Sequence, residues 1–321
     1  MSATAHATEG ILDTAPRGNR ILHYLELSRI YTWPDMAATG LLGVYFVRPH
    51  PDWVVLSQVG VLSISLWIVL NWFSEYQQRD WGRIPPPLCL TAVPLTISVA
   101  IVVGLNSAAA GFLFAYLGFV WLYPLKKRNR WVAAGCFFIR GMHTACLFLL
   151  AANLSGPLGG RIWEAALGLF LLQSSRSLVA EVRDASFDEF GLPAELARIL
   201  RPPRAQAIVL LFSLALAVAA ASILKLSVAI PVGLVFGVAL IWQLVIPEPL
   251  PVASYRVHSW LITASAVAKV ALGLPGFSSI VTIGLLSLLS NTLGYHRVYR
   301  PINDMIARSA RTRSATVRFI C

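Results

Sequence analysis

Apolar runs of membrane-spanning length alternate with short polar breaks along nearly the whole chain. They fall at about residues 31–47, 53–71, 88–104, 108–125, 131–152, 162–180, 205–224, 228–246, 257–273 and 276–295. An α-helix rises about 1.5 Å per residue, so crossing a hydrocarbon core of about 30 Å takes roughly 20 residues. Each run therefore predicts a spanning helix. Residues 257–295 read either as two short spans or as one long broken one, which gives a total of nine or ten. Several breaks carry helix-stopping residues, as in Arg48-Pro49-His50-Pro51 and Gly273-Leu274-Pro275-Gly276. The pattern predicts an all-α, polytopic transmembrane helical bundle. A polar N-terminal tail (1–23) precedes the membrane domain (24–297), and a basic tail (298–321) follows it.

Composition agrees with the pattern. The chain of 321 residues is 57% hydrophobic and 13% charged, against about 45–50% and about 25% in soluble domains. This excludes a soluble single-domain enzyme, a disordered protein and a nucleic-acid binder. No apolar core of a cleavable signal is visible near the N-terminus. Cys89, Cys136, Cys146 and Cys321 form no ligand or disulfide spacing.

Charge adds orientation. With the N-terminus in the cytoplasm, 21 of the 26 basic residues fall in cytosolic segments, Arg176 and Arg183 among them. That asymmetry follows the positive-inside rule, and with the absent signal it suits a bacterial inner membrane. The formal charge of +11 thus reads as topology and contact with anionic lipid. The acids are more selective. Seven of 15 lie in two loops of the cytosolic face: Glu75 and Asp80 after the second run, and Glu181, Asp184, Asp188, Glu189 and Glu195 after the sixth.

Three constellations carry candidate chemistry. In Asn71-Trp72-Phe73-Ser74-Glu75-Tyr76-Gln77-Gln78-Arg79-Asp80, helical periodicity puts Asn71, Glu75, Gln78 and Arg79 on one face. In Glu181-Val182-Arg183-Asp184-Ala185-Ser186-Phe187-Asp188, the three carboxylates fall within about 60° of one another on a helix. Carboxylates stacked in this way repel, and a bound cation relieves them. Oxygen ligands suit Mg²⁺, which commonly takes one or two carboxylates together with substrate phosphates. Tyr123-Pro124-Leu125-Lys126-Lys127-Arg128 supplies a hydroxyl and several cations at the same face. Together the three form a phosphate site, in which carboxylates hold a metal and cations stabilise a departing diphosphate.

These motifs, in this order and at these runs, resemble the UbiA superfamily of intramembrane prenyltransferases. That family carries N-D-x-x-D-x-x-x-D after its second span, Y-x-x-x-K after its fourth and D-x-x-x-D after its sixth. Here Asn71 matches the first Asn, Glu75 stands for the second acid and Asp80 lies one residue past the third. Tyr123 with Lys127 matches the middle motif, and Asp184 with Asp188 the last. Leu27-Ser28-Arg29-Ile30 is similar to the segment that leads into the family's first span. The resemblance covers about residues 24–295. Two positions depart from it: Trp72 replaces the first Asp and Arg79 the third.

The resemblance implies a bundle around a central cavity that opens under the two acidic loops. It implies an Mg²⁺-dependent enzyme that ionises an isoprenyl diphosphate and passes the prenyl group to a lipophilic acceptor, aromatic among the candidates. Asp184, Asp188, Glu75, Tyr123 and Lys127 would be catalytic. Metal ligands would come from Asp184, Asp188, Glu75, Glu181 and Asp80. Asn71, Arg79, Lys126, Arg183 and Arg140 would meet the diphosphate. A terpene cyclase acting on the prenyl diphosphate itself is the first alternative. A non-enzymatic membrane protein or transporter is the second.

Plainer readings stand beside these. Lys126, Lys127, Arg128 and Arg130 suit a positive-inside flank. Arg140 and His143, three apart on the fifth span, share a face and read as a diphosphate or acceptor contact or as an internal pair. Lys269 suits a snorkelling structural residue. Trp33, Trp67 and Trp121 read as interfacial aromatics. Trp72, Phe73, Tyr76 and Trp81 read as π-faces for an allylic cation or as lipid-interface packing.

Overall fold

The computed structural model describes residues 20–78, 86–185 and 203–224, with six positions between 282 and 293. Seven of the ten predicted runs appear as helices. The runs 228–246 and 257–273 and most of 276–295 lie outside the described residues, as do residues 1–19 of the N-terminal tail, the C-terminal tail, Arg79, Asp80, Asp188 and Lys269. Among the described residues there is no strand.

A short amphipathic helix, α1 (Arg20–Leu27), leads in. It ends as the chain turns through Arg29, whose φ of 54° and ψ of 52° are left-handed. That conformation is uncommon outside glycine. A 3-10 turn (Ile30–Thr32) follows, and α2 (Trp33–Val47) starts with Pro34 in its first turn, where the missing N–H costs nothing. Helix α3 (Trp53–Gln78) holds this lead-in segment in place: the Trp67 indole donates to the Thr32 hydroxyl (2.7 Å) and the Trp72 indole to the Tyr24 carbonyl (3.0 Å). Trp72 also meets the Tyr24 ring edge-on. Trp67 and Trp72 therefore tie the lead-in segment to α3.

The longest apolar stretch, Leu88–Lys126, is broken by its own polar residues. The Asn106 side chain accepts from the Ala108 N–H and donates to the Asn153 carbonyl, which ends α4 (Leu88–Asn106) and fixes the turn to the opposite helix. Helix α5 (Ala110–Leu122) follows, then a 3-10 turn at Tyr123–Lys127. The Asn129 carboxamide caps α6 (Arg130–Ser155) by accepting from the N–H groups of Trp131 and Val132. Helices α7 (Gly160–Ala185) and α8 (Pro203–Leu224) complete the described set. Trp53–Gln77, Leu88–Lys126 and Arg130–Ser155 are long and apolar enough to cross a membrane. The protein is an integral membrane protein.

Helix α6 is the centre of the bundle, with α2, α5 and α7 packed on it; α3 packs on α2, α4 on α3, and α8 on α7. Lipid supplies little hydrophobic drive, so small residues and polar clasps decide these contacts. Gly43 on α2 lies where an added Cβ would come within 2.4 Å of the Phe148 carbonyl of α6. Gly141 on α6 does the same against α7, 2.2 Å from the Ser174 hydroxyl and 2.7 Å from the Phe170 carbonyl. Ser175 and Ser213 each donate to the other's backbone carbonyl, joining α7 to α8. Ser290, from the last apolar run, donates to the Tyr31 carbonyl, so that run returns to the lead-in segment. Because a backbone atom cannot yield as a side chain can, Gly43→Ala should lower stability by about 1–3 kcal/mol. Thermal unfolding in detergent checks this.

Arg176 lies within α7 and reaches across to Asp35 in the first turn of α2.

Candidate active site

The phenol of Tyr123 organises the site. Pro124 starts the 3-10 turn, whose repeat of about three residues eclipses positions three apart. This brings Lys126 over Tyr123, although the motif spacing pointed to Lys127. Lys126 Nζ donates to the Tyr123 hydroxyl at 3.2 Å and sits 4.8 Å from the ring centroid. From α6, Arg140 Nε donates to the same oxygen at 3.0 Å, Nη2 makes a second, shorter contact, and Cζ lies 4.9 Å from the centroid. One oxygen and one π-face therefore hold two cations together. The turn packs on α5, α6 and α3, the last being the helix that carries Asn71 and Glu75.

Burial gives this arrangement weight. Tyr123 and Lys126 are buried, as are Asn71 and Glu75 (4% and 3% exposed). A buried charge is tolerated only with partners. Among the described residues, Tyr123 is the anchor that Lys126 and Arg140 share. Arg140 resolves into an internal contact that is also part of the site.

Other candidates are placed less fully. Helix α3 runs beyond its predicted end to Gln78, so Asn71 and Glu75 share a helix face as expected. The Asn71 Nδ2 donates to the Trp67 carbonyl one turn back (2.8 Å). Lys127 ends the 3-10 turn. Helix α7 runs to Ala185, which puts Glu181, Arg183 and Asp184 in its last turn. Among the described residues, no group of three or more His, Cys, Asp or Glu side chains could hold a metal ion.

Two residues of the interior went unforeseen. Asp35 is buried (7% exposed), with its Oδ2 at 3.4 Å from Arg176 Nη1. The signal was available in the sequence: each is a charged residue inside an apolar run, and such residues usually face a bundle interior.

No family model and no curated protein matches the sequence. Solved structures do match its fold. A structure of digeranylgeranylglyceryl phosphate synthase in membranes is similar at a TM-score of 0.58 and 18% identity, over 82% of this chain and 98% of that one. The chain has the UbiA fold. A UbiA homologue from Archaeoglobus fulgidus, solved bound to GPP and Mg²⁺, is similar at a TM-score of 0.55 and 15% identity, over 80% of this chain and 99% of that one. Within the described residues, α3 carries Asn71 and Glu75, the 3-10 turn carries Tyr123, Lys126 and Lys127, and α7 carries Glu181, Arg183 and Asp184.

Tyr123→Phe removes the oxygen that Lys126 and Arg140 share. Hydrogen bonds to charged groups contribute about 1.5–3 kcal/mol, so stability should fall by about that amount. Arg140→Lys should not substitute for the native residue, because one ammonium cannot reproduce the two-nitrogen contact. Thermal unfolding of both variants in detergent tests this.

Proposed function

We propose that this protein is an Mg²⁺-dependent intramembrane prenyltransferase of the UbiA superfamily, with nine or ten spans around a central cavity and the N-terminus in the cytosol of a bacterial inner membrane. It would ionise an isoprenyl diphosphate and pass the prenyl group to a lipophilic acceptor. The observation that carries this reading is the convergence of Lys126 and Arg140 on the Tyr123 hydroxyl, at a turn packed against the helix of buried Glu75. Two cations anchored in an apolar bundle have high affinity for a polyanion, because little water competes.

The chain's own residues then take these roles. Lys126 and Arg140, held by Tyr123, meet diphosphate oxygens and take up negative charge as the bond from oxygen to the allylic carbon breaks. Arg79, Arg183 and Lys127 lie on the same three motifs and would neutralise the remaining oxygens, and Asn71 would hold the headgroup. Glu75 is a hard oxygen donor, and Asp80 on the same motif and Glu181, Asp184 and Asp188 on the last motif are others, so the donor set suits Mg²⁺. Those five residues would hold it, and when bound it would supply Lewis-acid stabilisation of the leaving group. The apolar helices would take the prenyl tail.

A second reading has support in the sequence. Trp72 and Arg79 replace two acids of the first motif, and a site with fewer acids there suits ionisation followed by attack of the chain on itself. The test is product analysis. Purified protein in lipid nanodiscs would receive geranyl, farnesyl or geranylgeranyl diphosphate with Mg²⁺, with and without an aromatic acceptor. A prenylated acceptor is expected. A cyclic hydrocarbon as the main product overturns transfer in favour of cyclisation, and absence of diphosphate release overturns both.

A further inference from the structure

One turn beyond Arg140 on α6, His143 is buried (4% exposed), and its Nε2 has no hydrogen-bond partner. Facing it from α5, Tyr116 is buried (1% exposed), and its hydroxyl has no partner either. Tyr116, Phe119 and Tyr123 stand at i, i+3 and i+7, and all three rings pack on His143, with centroids 5.2, 6.3 and 6.2 Å away. The imidazole thus sits in an aromatic box that shares its Tyr123 wall with the Lys126 and Arg140 cations. Each buried polar atom left unpaired costs about 1–3 kcal/mol. Two of them in one box, beside a charged site, mark a place for a ligand.

The chemistry of the pair selects that ligand. A neutral imidazole carries its proton on one ring nitrogen and a lone pair on the other; with the proton on Nδ1, Nε2 is the acceptor. A phenolic hydroxyl can donate or accept. The group that satisfies both donates one hydrogen and accepts one, which is a hydroxyl. The aromatic walls call for an apolar body behind an organic hydroxyl; water is the other source of the same group.

We propose that His143 Nε2 and the Tyr116 hydroxyl form a subsite for a nucleophilic hydroxyl, the second substrate of the reaction. This rests on the prenyl-transfer reading. The bond from the allylic carbon to the diphosphate oxygen breaks and its electron pair leaves with the diphosphate. A lone pair of the hydroxyl oxygen forms the new C–O bond. The O–H proton passes to His143 Nε2, from which the departing diphosphate or solvent takes it. The product is a prenyl ether when the hydroxyl is organic and a prenyl alcohol when it is water.

The experiment uses full-length protein in nanodiscs with Mg²⁺ and geranyl, farnesyl or geranylgeranyl diphosphate. One arm adds 1-dodecanol, one adds 4-nonylphenol, and one runs without acceptor in ¹⁸O-water. Wild type should give an O-prenyl product: an ether in the first two arms if the occupant is organic, an ¹⁸O-labelled alcohol in the third if it is water. His143→Gln keeps a hydrogen-bonding side chain of similar size but no base. It should hold KM for the hydroxyl substrate while lowering kcat about 100-fold or more. Tyr116→Phe, nearly isosteric, should raise KM about 10-fold. Unchanged O-prenyl formation in both variants overturns the subsite, as does a wild type whose products carry only new C–C bonds or are hydrocarbons. If wild type releases no diphosphate from any of the three, the transfer reading itself fails and takes the subsite with it.

Discussion

Replacing Asp184 by alanine is expected to lower diphosphate release about 10²- to 10³-fold, the range seen when one group that stabilises developing charge is removed. The expectation rests on position. Helix α7 continues to Ala185, so Glu181, Arg183 and Asp184 share its last turn. Raising Mg²⁺ should recover part of the loss in Asp184→Asn, which keeps one oxygen donor, and none in Asp184→Ala. Asp188→Ala should match Asp184→Ala. Asp52→Ala is the control: Asp52 accepts from the Val55 N–H at the start of α3, the end remote from Glu75. It should cost about 1 kcal/mol of helix capping and leave turnover unchanged. Unchanged release in both Asp184→Ala and Asp188→Ala would falsify the metal-site proposal.

The second large effect concerns stability. Asp35→Ala leaves Arg176 as a buried cation without its carboxylate partner, and breaking a buried pair from one side costs about 3–5 kcal/mol. The pair joins α2 to α7, helices far apart in the chain, so the loss should appear as a cooperative drop in thermal midpoint. Replacing both residues by apolar ones, as in Asp35→Leu with Arg176→Met, should recover part of it, because neither charge of this contact then remains. The separation of 3.4 Å is long for an ion pair, which favours the lower part of the range. A shift under about 0.5 kcal/mol in both single variants would show that the pair is not structural.

Much of the architecture was legible because a bilayer imposes a simple rule. A spanning backbone must satisfy its own polar groups, so length and apolarity suffice to find helices. Seven runs emerged as helices with their ends shifted by a few residues. Residues 72–78 were harder, since their polar character says "loop" while their hydrogen bonds continue α3. The functional motifs were legible as residue types at fixed spacings. Lys126 shows the limit. The motif spacing names the residue four beyond Tyr123, and it does not foretell that a 3-10 turn with Pro124 near its start brings Lys126, three beyond, onto the phenol.

Sequence by itself determined that this chain lives in a membrane, which seven of its runs form the described helices, and which carboxylates, cations and phenol stand near the ends of the second, fourth and sixth runs. These are local properties, set by apolarity, periodicity and spacing. Tertiary structure alone decided who meets whom. It put Arg140 of α6 on Tyr123, set Asp35 against Arg176 across the bundle, turned Trp67 and Trp72 inward to hold the lead-in segment, and enclosed His143 between Tyr116 and Tyr123. The reason is that pairing within a bundle depends on which helix faces pack together. That choice is made by close contacts such as Gly43 on Phe148 and Gly141 on Phe170, between residues that nothing in the linear pattern links.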